Sequence, residues 1–277
     1  MIPARFVAHR PRTIAEVEAL LQQFGEDAKL LAGGQSLIPL MRFRFAAPAH
    51  LLDLSTVDGL AYVRRDGDQL CIGAMTTYAH IAQSPVVQRD AALMAHVATL
   101  IGDLQVQHRG TIGGSIAHSD PASDMATALL ALDATVVTLR NGVRRERPLL
   151  GFATGFLETV LDVGEWVVEI RCAADPDVAW SYQSVHRRAE DWAIGAAALV
   201  RTSDSTRLAL SSMGPVALRA LHTENVLSSA WPGDEQVRAA LDEEIEPLDD
   251  QVATSTYRRH LAAVLVRRAW NSAAKSV

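Results

Sequence analysis

Two glycine pairs constrain this chain of 277 residues more than any other feature. Gly33-Gly34 follows the apolar run Lys29-Leu30-Leu31-Ala32 and leads into Gln35-Ser36, while Gly113-Gly114 lies within Arg109-Gly110-Thr111-Ile112-Gly113-Gly114-Ser115. A glycine pair at the end of a buried strand tolerates unusual φ values and close approach, and Gly34, Gln35 and Ser36 can aim successive backbone N–H groups outward. Such a nest takes phosphate oxygens without a lysine. The second stretch repeats the arrangement about eighty residues on, with hydroxyls at Thr111 and Ser115 and a carboxylate at Asp124. Two nests and a carboxylate that accepts from ribose hydroxyls suit a dinucleotide with a pyrophosphate. Each glycine pair alone also reads as an ordinary turn, and Asp120 and Asp124 also read as helix-capping or first-turn charges. Neither stretch has the G-x-G-x-x-G spacing of a Rossmann site.

The surroundings of these loops remove most other readings. Only Lys29 and Lys275 are lysines among the 26 basic residues, so a Walker-type site and Schiff-base chemistry lack their residue. A formal charge of −6 supplies no global field for a polyphosphate backbone, which argues against nucleic acid as a partner. Two cysteines, Cys71 and Cys172, exclude a disulfide framework, a cysteine-rich zinc site and an all-cysteine iron–sulfur centre within the chain. The nine histidines show no H-x-x-x-H or H-E-x-x-H spacing, so no metal site is expected. Ser36, Ser115 and Ser123 lack a G-x-S-x-G elbow. With 49% hydrophobic and 21% charged residues the chain is expected to fold. No run of 18 apolar residues and no export-signal layout at the start lead to the expectation of a cytoplasmic protein without membrane insertion.

Periodicity and turn chemistry predict the elements. Thr13 and Glu16 form a capping box ahead of Ile14, Val17, Leu21 and Phe24 at helical spacing, ended by Gly25. Strands are predicted over 29–32 and 50–54, which with that helix make a small α/β lobe over 1–57. A hairpin over 60–73 turns at Asp66-Gly67, helices are predicted from Thr76 or Thr77 to Pro85 and over 86–100, and Pro121 suits the first turn of a helix over 125–132. Asn141-Gly142 between 135–140 and 143–147 is the strongest hairpin signal, since both residues accept the positive φ of a type I′ turn. A strand over 166–172 closes a second lobe, 58–175. Past Asp175-Pro176-Asp177, residues 176–277 read as a domain with strands over 181–185, 193–201 and 207–212, then helices over 218–228, 235–240 and 254–274. His186-Arg187-Arg188 reads either as a basic docking or flavin-adjacent patch or as a solvated turn.

Ala32-Gly33-Gly34-Gln35-Ser36-Leu37-Ile38-Pro39-Leu40-Met41, Ile72-Gly73-Ala74, the stretch from Arg109 to Ser115 and Asp120-Pro121-Ala122-Ser123-Asp124 together resemble the FAD-binding medium subunit of the molybdenum hydroxylases. That family includes the medium subunit of carbon monoxide dehydrogenase and the flavin domain of xanthine dehydrogenase. The likeness runs the whole length, through Gly164-Glu165-Trp166-Val167-Val168-Glu169-Ile170, Arg187-Arg188, Met213-Gly214-Pro215 and Tyr257-Arg258-Arg259-His260-Leu261.

The resemblance implies an α+β chain: a two-lobed FAD-binding domain of the PCMH, or vanillyl-alcohol-oxidase-like, type, followed by a C-terminal domain with a three-stranded antiparallel sheet and helices. It implies noncovalent FAD, with Leu30, Leu31, Ala32, Gly33, Gly34, Gln35, Ser36 and Leu37 on one side of the pyrophosphate and Thr111, Ile112, Gly113, Gly114 and Ser115 on the other. Ile72 would pack near the cofactor and His118 would lie beside it. Asp124 would match the ribose- or adenine-side carboxylate, and Trp166 and Val167 the segment covering adenine or flavin. Gln183 stands where NAD-reducing members place a lysine near the flavin, so the resemblance does not extend to NAD as acceptor. Ser115 stands where many members carry Asn or Asp, and His118 where xanthine dehydrogenases have Thr. No side chain is expected to act as acid or base, because the flavin carries the redox chemistry. The implied partners are a molybdopterin-binding large subunit and a [2Fe–2S] small subunit in a hetero-oligomer. The alternatives are a free-standing flavoenzyme of the same fold and a binding protein without flavin.

Overall fold

The computed structural model describes residues 2–227 and 230–273. The ends predicted for two helices, Ser228 and Ala274, lie outside the described residues.

The first lobe is built from β1 (Val7–His9), α1 (Ile14–Phe24), β2 (Ala28–Leu31), α2 (Leu37–Arg42) and β3 (His50–Asp53). Its strands are parallel in the order β1-β3-β2. Thr13 caps α1 by accepting from the Glu16 N–H at 3.2 Å, and Glu16 accepts from the Arg12 N–H at 2.7 Å, one residue further back than a capping box requires. Val17 and Leu21 of α1 are buried with Leu52, Leu54, Trp166 and Val168.

The second lobe runs through β4 (Val63–Asp66), β5 (Gln69–Gly73), α3 (Tyr78–Gln83), α4 (Pro85–Asp90), α5 (Ala92–Leu100), α6 (Leu104–Arg109), α7 (Ile112–His118), α8 (Asp124–Ala131), β6 (Thr135–Arg140), β7 (Val143–Pro148), β8 (Ala153–Gly155), β9 (Glu158–Thr159) and β10 (Trp166–Ala173). Its antiparallel sheet has the order β4-β5-β10-β6-β7. The central strand β10 joins the lobes: Trp166 and Val168 face the first lobe, and Val167, Ile170 and Cys172 face the helices of the second. The β6–β7 turn has φ of +51° at Asn141 and +75° at Gly142, as its dipeptide requires. The single helix predicted over 86–100 is two, broken at Ala91, where the buried Asp90 is held by Arg65 and Arg89. Pro121 stands outside α8, which starts three residues later behind a Ser123 cap.

The C-terminal domain comprises β11 (Ala179–His186), β12 (Ala193–Arg201), β13 (Thr206–Ser211), β14 (Leu218–Arg219), α9 (Leu221–Val226), α10 (Asp234–Glu244) and α11 (Ser255–Ala273). Its antiparallel sheet has four strands in sequence order. The extra strand is the start of the helix predicted from Leu218: Leu218 and Arg219 pair with Leu210 and Ala209, and Arg219 is pinned by Glu224 and Asp133. Ala196, Ala198 and Val200 of β12 face the core of the second lobe, and Ala197 and Leu199 face α11. Small side chains on both faces let α8 and α11 sit on opposite sides of one sheet. Among the described residues no helix is long and apolar enough to cross a membrane.

Candidate cofactor-binding site

The two glycine stretches meet. A Cβ on Gly33 would come within 2.1 Å of the Arg109 carbonyl oxygen and 2.9 Å of the Gly110 Cα, and a Cβ on Gly114 within 3.3 Å of the Ala32 Cβ. Only glycine permits the first approach. The contact fixes the end of β2 against the N-terminal turn of α7, so one cleft is bordered by both lobes.

The two stretches differ in what they offer a ligand. At the end of β2 the chain turns through Gly34, with φ of +75°, into the short helix α2. Among the described residues, the backbone N–H groups of Gly33, Gly34, Gln35, Ser36 and Leu37 donate to no protein acceptor. The Ser36 side chain makes no cap, and the Gln35 amide folds back to the Gly33 carbonyl at 3.3 Å. Successive unpaired N–H groups beside a positive-φ glycine form an anion nest.

The stretch 111–115, read from sequence as a second nest, is the capped first turn of α7. Ile112 donates to the Thr76 carbonyl at 3.1 Å, Gly113 to the Ala74 carbonyl at 2.9 Å, Gly114 to the Thr111 hydroxyl at 3.2 Å and Ser115 to the Thr111 carbonyl at 3.1 Å. Those amides are already used inside the chain. Gly113 is a packing glycine, since its Cβ would meet the Ala74 Cβ at 2.4 Å. This side is therefore a wall of amides already in use, and the Ser115 hydroxyl is engaged 3.0 Å from the Ser123 hydroxyl.

Leu31, Ala32 and Leu37 are half-buried beside the nest, whereas the half-buried Leu30 packs against the first-lobe core. Four other side chains read as neighbours of a cofactor lie elsewhere. Ile72 and Ile112 are fully buried, and Trp166 and Val167 fill opposite faces of β10, so none of the four reaches the cleft with its side chain. For Trp166 and Val167 the reason is strand alternation on a sheet covered from both sides, which leaves β10 no open face at these positions. His118, in the last turn of α7, is half-buried, and burial lowers its imidazole below the usual value.

Asp124 opens α8 and is buried. Its Oδ1 accepts the Tyr182 hydroxyl of β11 at 2.5 Å, and its Oδ2 accepts from nothing among the described residues. Burial raises this carboxyl above the ordinary range, against the Tyr182 hydrogen bond and the charge of His186, while Asp120 adds to the rise. Gln183 does not share that position: it pairs with Ala197 on the α11 side of the sheet and donates to the Ser181 hydroxyl at 3.1 Å, whereas Tyr182 pairs with Ala198 on the side facing α8. Tyr182 was not among the sequence-derived candidates. Period-two alternation from Gln183, placing an aromatic hydroxyl on the other face, was the signal that could have found it.

The thiols take no part. Burial pushes Cys172 up to about 12 and raises Cys71, so both stay protonated and unreactive near neutral pH.

With this geometry in view, the comparisons decide the family. Residues 4–172 match the FAD binding domain in molybdopterin dehydrogenase, and residues 180–273 match the CO dehydrogenase flavoprotein C-terminal domain. The chain belongs to this family of FAD-binding subunits. It is 41% identical to the carbon monoxide dehydrogenase medium chain of Hydrogenophaga pseudoflava, over 99% of this chain and 98% of the relative. It is 32% identical to the glyceraldehyde dehydrogenase medium chain of Sulfolobus acidocaldarius, over 99% of this chain and the whole of the relative. A solved carbon monoxide dehydrogenase from H. pseudoflava that lacks the Mo-pyranopterin moiety superposes with a TM-score of 0.95, covering 100% of this chain and 99% of that one. The α+β fold, the FAD cofactor and the place of the chain in an oxidoreductase follow from membership.

Proposed function

We propose that this chain is the FAD-carrying subunit of a molybdenum-containing hydroxylase or dehydrogenase. It takes electrons from [2Fe–2S] clusters on a small partner subunit and passes them through noncovalent FAD to an external acceptor, while the substrate is oxidised at molybdopterin on a large partner subunit. FAD, when bound, supplies the redox chemistry. The rest falls to the residues of this chain. The amides of Gly33, Gly34, Gln35, Ser36 and Leu37 bind the diphosphate, and Gly114 and Ser115 close its other side. The free oxygen of Asp124 accepts from a hydroxyl of the nucleotide. Leu31, Ala32 and Leu37 would exclude water around the diphosphate, which strengthens each amide–phosphate contact.

One observation carries the reading: a row of amides unpaired among the described residues lies directly against a glycine wall from the other lobe. Two buried cysteines cannot hold iron–sulfur clusters, so the clusters must come from elsewhere. The medium chains matched act with carbon monoxide in one case and glyceraldehyde in the other, which fits a subunit remote from the substrate. A cytoplasmic setting accords with two unpaired thiols.

The test is an absorbance spectrum with metal analysis of the assembly purified from its native host. FAD, iron and molybdenum in fixed ratio with this chain support the proposal. A colourless assembly, or a flavin-bearing chain that turns over a small molecule in the absence of both metals, overturns it.

A further inference from the structure

Tyr182 sits where the C-terminal domain closes on the cofactor-binding domain. A polar seam crosses that boundary: Ser115 of α7 lies 3.0 Å from the Ser123 hydroxyl, Ser123 caps α8 by accepting from the Ala126 N–H at 3.2 Å, and Asp124 accepts the Tyr182 hydroxyl. Both members of the last pair are buried, with 7% of Tyr182 and 9% of Asp124 exposed. A carboxylate this deep needs more than one donor, yet Oδ2 has none among the described residues and is not sealed from solvent.

We propose that Tyr182 is a positioning residue for the cofactor: its hydroxyl fixes one oxygen of Asp124, so that the other is held toward a hydroxyl of the bound flavin nucleotide. This rests on reading Asp124 as a cofactor contact. Through the bond the C-terminal domain completes a site whose phosphate-binding part lies wholly in the first two lobes. The titratable groups facing Asp124 are Tyr182 and His186 from β11, Asp120 from the turn before α8 and Tyr78 from α3. Among the described residues Tyr182 is the one that donates to it directly, so its removal leaves the carboxylate without a donor from them.

The experiment measures FAD affinity of the whole chain from about pH 5 to 9, by quenching of flavin fluorescence, for wild type, Tyr182→Phe, Asp124→Asn and the double variant, with melting curves of the apoproteins. Tyr182→Phe is expected to weaken FAD about tenfold at neutral pH and to move the acid limb of the affinity profile up by about one unit, since the ionised carboxylate has lost its donor. Asp124→Asn is expected to abolish that limb, and adding Tyr182→Phe to it to cost nothing more. An unmoved acid limb, or the same loss when Tyr182→Phe is added to Asp124→Asn, overturns the inference and leaves Tyr182 a packing residue. Equal affinity of wild type and Asp124→Asn also overturns it, leaving the phosphate cradle intact. A wild-type chain that takes up no FAD overturns both this inference and the reading beneath it.

Discussion

Gly33→Ala and Gly114→Ala separate the structural use of glycine in this cleft from its functional use. At Gly33 the new methyl would stand 2.1 Å from the Arg109 carbonyl oxygen and 2.8 Å from the carbonyl carbon. A comfortable contact is about 3.5 Å or more, so the two segments must part by over an ångström, and both are backbone that no rotamer change can move aside. Overpacking of this kind costs about 3 kcal/mol, which for a chain of this size lowers Tm by about 6–12 °C. At Gly114 the methyl would stand 2.8 Å from the Thr111 hydroxyl and 3.3 Å from the Ala32 Cβ. A weakened Thr111 cap costs about 1 kcal/mol, and alanine in place of glycine within a helix returns about as much, so Tm stays within about 3 °C of wild type. Its methyl narrows the cleft between wall and nest, so FAD affinity falls at least about tenfold. Differential scanning calorimetry of the apoproteins and FAD titration read the two effects separately. Wild-type melting of Gly33→Ala, or a Gly114→Ala chain less stable than Gly33→Ala, would refute the packing described for these segments.

Other perturbations have definite signs. Glu165 is buried, which alone would raise its carboxyl, but the Thr138 hydroxyl, the Asp162 N–H and Arg147 together hold it below the ordinary range. A depressed folded value stabilises above the unfolded value of about 4.3 and is lost as pH falls through the folded one. Glu165→Gln is therefore expected to destabilise by on the order of 3 kcal/mol at neutral pH, with the gap narrowing below about pH 4 in urea melts. Gly142→Ala forces a side chain into a φ of +75° and costs roughly 1 kcal/mol in the same melts, with FAD affinity unchanged because the hairpin tip docks on Glu18 of α1. Arg258, buried in α11, donates to the carbonyls of Ile194 and Leu248 and to Asp250. Arg258→Met is expected to cost about 2–3 kcal/mol by stranding these acceptors, again without loss of FAD affinity in a chain refolded at low temperature.

Local signals carried much of the fold. Thr13, Asn141-Gly142 and the glycine after Phe24 act through their nearest neighbours, so helix α1 and the β6–β7 hairpin were readable from a few residues each. The break at Ala91 was not, because it is held by Arg65 from β4 gripping Asp90, a contact between elements far apart in the chain. Nor was β14, whose two residues are extended because Ala209 and Leu210 offer an edge to pair with. The same distinction divides the site. That 33–36 form a turn at a strand end was legible from Gly-Gly, but whether the amides of 111–115 were free depended on the Ala74 and Thr76 carbonyls, which only the folded chain brings alongside. Trp166, Val167 and Ile72 carried the right family pattern, yet their side chains belong to the core that holds the cleft in shape.

Hydrogen exchange of the chain with and without FAD tests the binding role given to the β2–α2 turn most directly. The amides of Gly33, Gly34, Gln35, Ser36 and Leu37, open in the free protein, are expected to slow by at least about tenfold once FAD is added, while those of Ile112–Ser115, bonded throughout, change far less. Unaltered exchange across 33–37 in a chain saturated with FAD would mean that the diphosphate is held somewhere else.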